Sequence, residues 1–312
     1  MRVFLACNTA QRKQTMNYYS RVLILYAALA LAADVDAAGS DELRAHYREL
    51  TENIASNPFG MPLGVQSGEQ GDNVSAEVYG VVDQPFTVVA GLLGDVRRWC
   101  GFMLLSINVK SCAVNNDAAG TSLTLYVGRK DYQTPQQAYE MRYRFQASRT
   151  AQQAEVFLDA NGGPLGTKDN HIHLDAIEVD GRTLVHFTSA MRLGTMSRMA
   201  TATYLATLGS GKIGFSRVPD SAGKLLPIKG VKAMIERNVV RYFLALQVYL
   251  ATRALPDTER FEQQMERWFE FTERFHTQLY ELPKTQYLVN KRRERDNQFE
   301  LQRSIDTVKA PP

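Results

Sequence analysis

The chain has 312 residues, 45% hydrophobic and 22% charged, and its 36 basic and 33 acidic side chains give a formal charge of +3. That length and apolar content support a large buried core and exclude a disordered chain, a collagen and a small disulfide scaffold. A surplus of three charges is too small for a nucleic-acid surface, so no nucleic acid is expected as a partner.

Residues 22–33, VLILYAALALAA, are apolar throughout; Arg21 precedes them and small residues follow at 35–40. Twelve apolar residues make a signal-peptide core and fall short of a membrane span, which needs about 20. The pattern predicts a signal peptide over 1–37, cleaved after Ala37, and a periplasmic protein. Met16 lies five residues before Arg21, so residues 1–15 read as an over-long gene start. Cleavage leaves 32 basic against 31 acidic residues. It also removes Cys7 and leaves Cys100 and Cys112 as an even pair in an oxidising compartment. The expected outcome is a disulfide worth roughly 3 kcal/mol through loop entropy, with two buried free thiols as the alternative.

Leu43, Tyr47 and Leu50 predict an amphipathic helix over 41–56, followed by a turn-rich linker at 57–72 carrying Pro58, Gly60, Pro62, Gly64 and Gly71. Val74, Ala76 and Val78 alternate with polar neighbours as a half-buried strand. Asp83 is a candidate cap for a helix with Pro85 in its first turn, and Asp95 for a second helix ending near Trp99 and Cys100. From Leu105 the period becomes two, giving six strands: 105–109, 123–127, 139–145, 153–159, 171–179 and 182–192. Asp180 and Gly181 form a tight turn between the last two. Short connections make antiparallel pairing the economical arrangement. Residues 230–253 read as a long helix whose wide stripe (Ile235, Val239, Tyr242, Leu246, Tyr249) must lie on the sheet.

Strand, two short helices, six strands and a long helix is the order of the helix-grip fold of START lipid-transfer domains, plant pollen allergens and polyketide cyclases. The stretch DQPFTVVAGLLGDVRRWCGFM (83–103) resembles that superfamily's first crossover. More narrowly, NPFGMPL, WCGFMLLSINVKSC, GPLGT, YLATLGSGKIGFS and GVKAMIERNVVRYFLALQVYL are similar to an uncharacterised family of exported proteobacterial proteins, over about 57–255. The resemblance implies an α+β, seven-stranded antiparallel helix-grip (START-like) domain at 73–255. Ahead of it lie an N-terminal helix and linker at 38–72, and behind it a helical C-terminal extension at 256–312. It further implies a cavity between curved sheet and long helix for a lipid or other apolar small molecule. One departure is residues 194–229, which intervene before the long helix and either lid or fill that cavity.

Candidate cavity residues are Trp99, Arg237, Asn238 and Arg241. An inward arginine needs a partner, such as a ligand carboxylate or head group, because an unpaired buried guanidinium is too expensive. The opposing reading is a salt bridge or solvated face for the arginines and plain core for Trp99. His171, His173 and Asp175 share one strand face, which suits metal ligation or acid–base work. Their alternation with Ile172, Leu174 and Ala176 turns them to solvent, so no metal site is assigned. Residues 208–213 lack the first glycine and final Ser or Thr of a phosphate loop. No catalytic residue and no cofactor is assigned. Phe261, Met265, Trp268, Phe269 and Phe275 predict an aromatic amphipathic helix, and Lys291, Arg292, Arg293, Glu294 and Arg295 a charged helix or tail. These C-terminal helices are candidates for contact with an envelope protein or a membrane surface. The expected function is non-enzymatic periplasmic binding of an apolar, lipid-like ligand. The alternatives are an envelope assembly protein with a filled core and, behind it, a cyclase or hydrolase.

Overall fold

The computed structural model describes residues 63–207 and 209–309, together with six positions of a helical stretch within 41–48. The latter belong to a separate unit, Met1–Glu49. The expected signal peptide, and most of the expected helix and linker at 38–72, lie outside the described residues.

Eight antiparallel strands form the main sheet, one more than the sequence predicts. The additional strand, β1 (Leu63–Gln70), falls within the expected linker and pairs with β2 (Asn73–Val82) through a turn at Gly71, which has positive φ. β1 is an edge strand with a polar second half, QSGEQ, so backbone pairing rather than an apolar face makes it a strand. After β2 come α1 (Phe86–Leu93) and α2 (Val96–Met103). Pro85, not Asp83, occupies the position before α1, and its carbonyl accepts from the Val88 and Val89 amides. Asp95 caps α2 through the Arg97 amide.

A six-strand meander follows: β3 (Val109–Asp117), β4 (Gly120–Val127), β5 (Tyr139–Arg149), β6 (Gln153–Gly162), β7 (Lys168–Val179) and β8 (Arg182–Arg192). β8 pairs with β2, so the order is β1-β2-β8-β7-β6-β5-β4-β3. The alternation at 105–109 is a turn rather than a strand, and β3 begins where it ends. Between β8 and the long helix lie α3 (Thr195–Ala206) and a small hairpin, β9 (Arg217–Pro219) with β10 (Leu225–Pro227).

Helix α4 (Gly230–Ala251) lies on the sheet, with Ile235, Val239, Phe243 and Leu246 fully buried. It approaches β2 most closely at Gly80, where an added Cβ would stand 2.1 Å from the Phe243 ring. Glu236, also fully buried, accepts from Ser67 Oγ of β1 and from the Phe215 and Ser216 amides. One carboxylate thus ties helix, edge strand and insertion together.

Helices α5 (Asp257–Glu273), α6 (His276–Leu279) and α7 (Lys284–Lys309) complete the chain. Phe261, Met265, Trp268, Leu282 and Tyr287 join the same hydrophobic cluster as the sheet. Along β3, the Gln298 carbonyl oxygen accepts from the Cys112 amide (2.8 Å), and Gln302 bonds both the amide and the carbonyl of Val114. These glutamines act as a surrogate strand on an otherwise open sheet edge. The charged run at 291–295 is not a solvated tail: Lys291 is 1% and Glu294 0% exposed, and Glu294 pairs with Lys291 (2.7 Å) and with buried Lys110 (3.0 Å). The Lys291 ammonium also donates to the Ser106 and Val109 carbonyls, and Tyr287 to that of Leu105. Three carbonyls of the 104–109 turn are therefore satisfied from α7, and those of Ile107 and Asn108 by Lys110 and the Gly128 amide.

Candidate functional site

A cavity of about 210 Å³ lies between the inner face of the sheet and α4. Its walls are largely apolar, with Leu125, Met141, Ile172 and Met191 from the sheet and Met234 and Tyr242 from α4. Alternation along β5 turns Met141 and Tyr143 inward. Burial raises the phenols of Tyr143 and of Tyr242, the latter to about 12, so both stay protonated.

One end of the cavity is polar. Thr167 and Asn170 are buried there, and the Thr167 hydroxyl and Asn170 amide nitrogen make no hydrogen bond among the described residues. Gly163 leaves room for them, since a Cβ there would sit 2.5 Å from Thr167 Oγ1 and 2.9 Å from Asn170 Nδ2. Buried polar atoms normally find partners, so two orphans lining one cavity mark where a polar ligand atom fits. Ser197 and Thr201 of α3 cover the cavity, making part of the 194–229 insertion its lid. Ser197 is the one buried residue of that helix, and Met196 and Met199 point outward. Its outer attachment is an ion pair from Arg198 to Asp72.

Of the four predicted cavity residues, Asn238 lines it and three do not. Trp99 is fully buried in the core, where its indole N–H donates to the Leu93 carbonyl (2.9 Å) and its ring packs against Phe102, Phe145 and Phe187. Arg237 and Arg241, four residues apart on one side of α4, face the insertion and the segment after α6. Arg237 donates to the Ile213 carbonyl (3.3 Å), and burial lowers its pKa. Arg241 pairs with Glu281 (2.8 Å) and reaches the cavity only indirectly, through Asn238 Oδ1 (3.4 Å). Glu281 also lies 3.6 Å from Lys212. The arginines' partners are therefore internal.

Cys100 and Cys112 form a disulfide between α2 and β3, with Cα atoms 5.1 Å apart. Thr167 and Asn170 escaped the sequence reading because one precedes and the other lies within a register shift between Lys168 and His171 that alternation does not reveal. Among the described residues lining the cavity there is no carboxylate, lysine or cysteine.

No family model and no curated protein matches the chain. Solved structures do. The Zhui aromatase/cyclase from a Streptomyces species is similar at 15% identity, covering 60% of this chain and 98% of its own, with a TM-score of 0.35. A conserved protein from Geobacillus kaustophilus matches at 10% identity over 57% of this chain and 95% of its own, TM-score 0.35. A norcoclaurine synthase from Thalictrum matches at 10% identity over 47% and 91%, TM-score 0.32.

Proposed function

We propose that the protein binds a small, mostly apolar molecule with one polar end, held between sheet and α4 beneath the α3 lid. The observation that carries this is the pairing of an apolar wall with the unpartnered Thr167 and Asn170 at one end. A volume of about 210 Å³ is below the roughly 300–1,000 Å³ of drug-sized sites, so the fit is to a single ring or a medium-length acyl chain. A longer ligand requires α3 to lift, which its shallow burial favours.

A START-like assignment, export and a periplasmic location belong to the same proposal, supported by the element order and by the disulfide, which fits an oxidising compartment. No helix among the described residues is long and apolar enough to cross a membrane. Contact of the C-terminal helices with an envelope partner is proposed with it, on the exposed Val289, Phe299 and Val308.

The test is calorimetric titration with decanoic acid. Saturable one-to-one binding is expected, abolished by Ser189→Phe, which projects a ring from β8 into the cavity. Equal binding by S189F, or none by the wild type, refutes the reading.

A further inference from the structure

On the sheet face turned away from α4, ionisable side chains from four neighbouring strands converge, independently of the cavity. They are Glu77 of β2, Glu155 of β6, His173 and Asp175 of β7, and His186 of β8. Strand register brings them together: Glu155 lies opposite Asp175, and Asp175 opposite His186. Leu174 and Ala176 are buried in the core, so alternation sends His173 and Asp175 to the other face.

We propose that Glu155, His173 and Asp175 bind a divalent transition-metal ion of the Zn²⁺ class. His173 Nε2 is shut off from solvent and makes no hydrogen bond, yet lies 3.4 Å from Asp175 Oδ1 and 3.9 Å from Glu155 Oε1. The three ligand atoms all lie within 4.8 Å of one another. Metal–ligand bonds of about 2.0–2.2 Å in a tetrahedron put its donor atoms about 3.3–3.6 Å apart. The His173–Asp175 separation is that of two atoms sharing one ion, and the Glu155 carboxylate, on a rotatable side chain, has to close by a few tenths of an ångström to join them.

The surroundings hold the ligands in place. The His173 ring stacks on Phe157 at 4.2 Å with 9° between planes, and His186 on Tyr79 at 4.1 Å with 4°. His186 stands behind Asp175, with Nδ1 3.4 Å from Oδ2, and its Nε2 is bonded to Glu77 at 2.9 Å. Gln153 donates to Asp175, and Ser148 to the Glu155 oxygen that does not face His173. Such outer partners fix ligand orientation in metal sites. Glu155 is about one-third exposed, so an entering ion and a water ligand reach the buried His173 Nε2 from its side. One imidazole with two carboxylates suits Zn²⁺, Co²⁺ or Mn²⁺ better than Mg²⁺.

The test is calorimetric titration of the EDTA-stripped, disulfide-intact full chain with Zn²⁺ and, separately, Mg²⁺. One Zn²⁺ is expected to bind, at least about 100-fold tighter than Mg²⁺ and with a rise in Tm. His173→Ala and Glu155→Gln should each lose that binding, and His186→Gln should weaken it about 10- to 100-fold. His171→Ala, whose imidazole instead bonds Asp159 (2.6 Å), should bind as the wild type. In EDTA, E155Q should melt no lower than the wild type, which shows that its loss is not unfolding. Wild-type affinity in H173A, or no preference for Zn²⁺ over Mg²⁺, overturns the proposal.

Discussion

Glu294→Gln tests how far the C-terminal helix is part of the fold. Glu294 is fully buried and is the one carboxylate, among the described residues, bonded to the Lys110 and Lys291 ammonium groups, each 1% exposed. Removing its charge leaves two cations in the core, and breaking a buried ion pair costs about 3–5 kcal/mol. That is a large part of the roughly 5–15 kcal/mol of a typical domain. Urea unfolding at pH 7, compared at constant m, measures the loss. The loss should also shrink as pH rises towards 8. The variant's folded state there holds up to one proton fewer than its unfolded state and so gains up to about 1.4 kcal/mol per pH unit, more than the wild type, whose buried lysine gives up its proton only near pH 8. Glu262→Gln is the control, since its pair with Arg292 is nearly half exposed and worth at most about 1 kcal/mol. A loss below about 1 kcal/mol for E294Q, or equal losses in both variants, refutes the reasoning.

In the wild type, burial lowers the Lys291 pKa to about 8, against Glu294's opposing pull. A folded pKa below the unfolded value of about 10.4 means that stability rises between about pH 8 and 10.4, by about 3 kcal/mol from this group, readable by urea titration across that range. Gly80→Ala drives a methyl into the Phe243 ring and should destabilise by about 1–3 kcal/mol in thermal melts, with no loss if α4 did not seat on β2. Replacing Gln298 and Gln302 by alanine frees the β3 edge. The expected result is a loss of about 1–3 kcal/mol and concentration-dependent association in light scattering.

Much of the sheet is legible in the sequence because one face is buried and the other polar, so a period of two survives in 139–145 and 171–179. The 180–181 turn is equally plain, with Asp180 and Gly181 both at positive φ. β1 was hidden because an edge strand with Gly68 and four polar neighbours carries almost no side-chain signal. The turn at 104–108 mimicked a strand because tertiary packing buries all but one of its side chains regardless of parity. The arginines on either side of Asn238 were not separable from it by spacing alone. Their direction depends on where the insertion and the Glu281 segment fold back, which no local pattern records. Lys291 and Glu294 read as surface because charge usually is, and their contact with Lys110 makes them core while Arg292 and Arg293 between them stay exposed.

That partnership also sets an order of events. Lys110 precedes Glu294 by 184 residues, and Val114 precedes Gln302 by 188. A ribosome emitting this chain therefore makes an open β3 edge and an unmatched buried cation long before their partners exist. The nascent sheet stays unfinished and adhesive until residues 294–302 have been made, and its β3 edge is open to other strands until then.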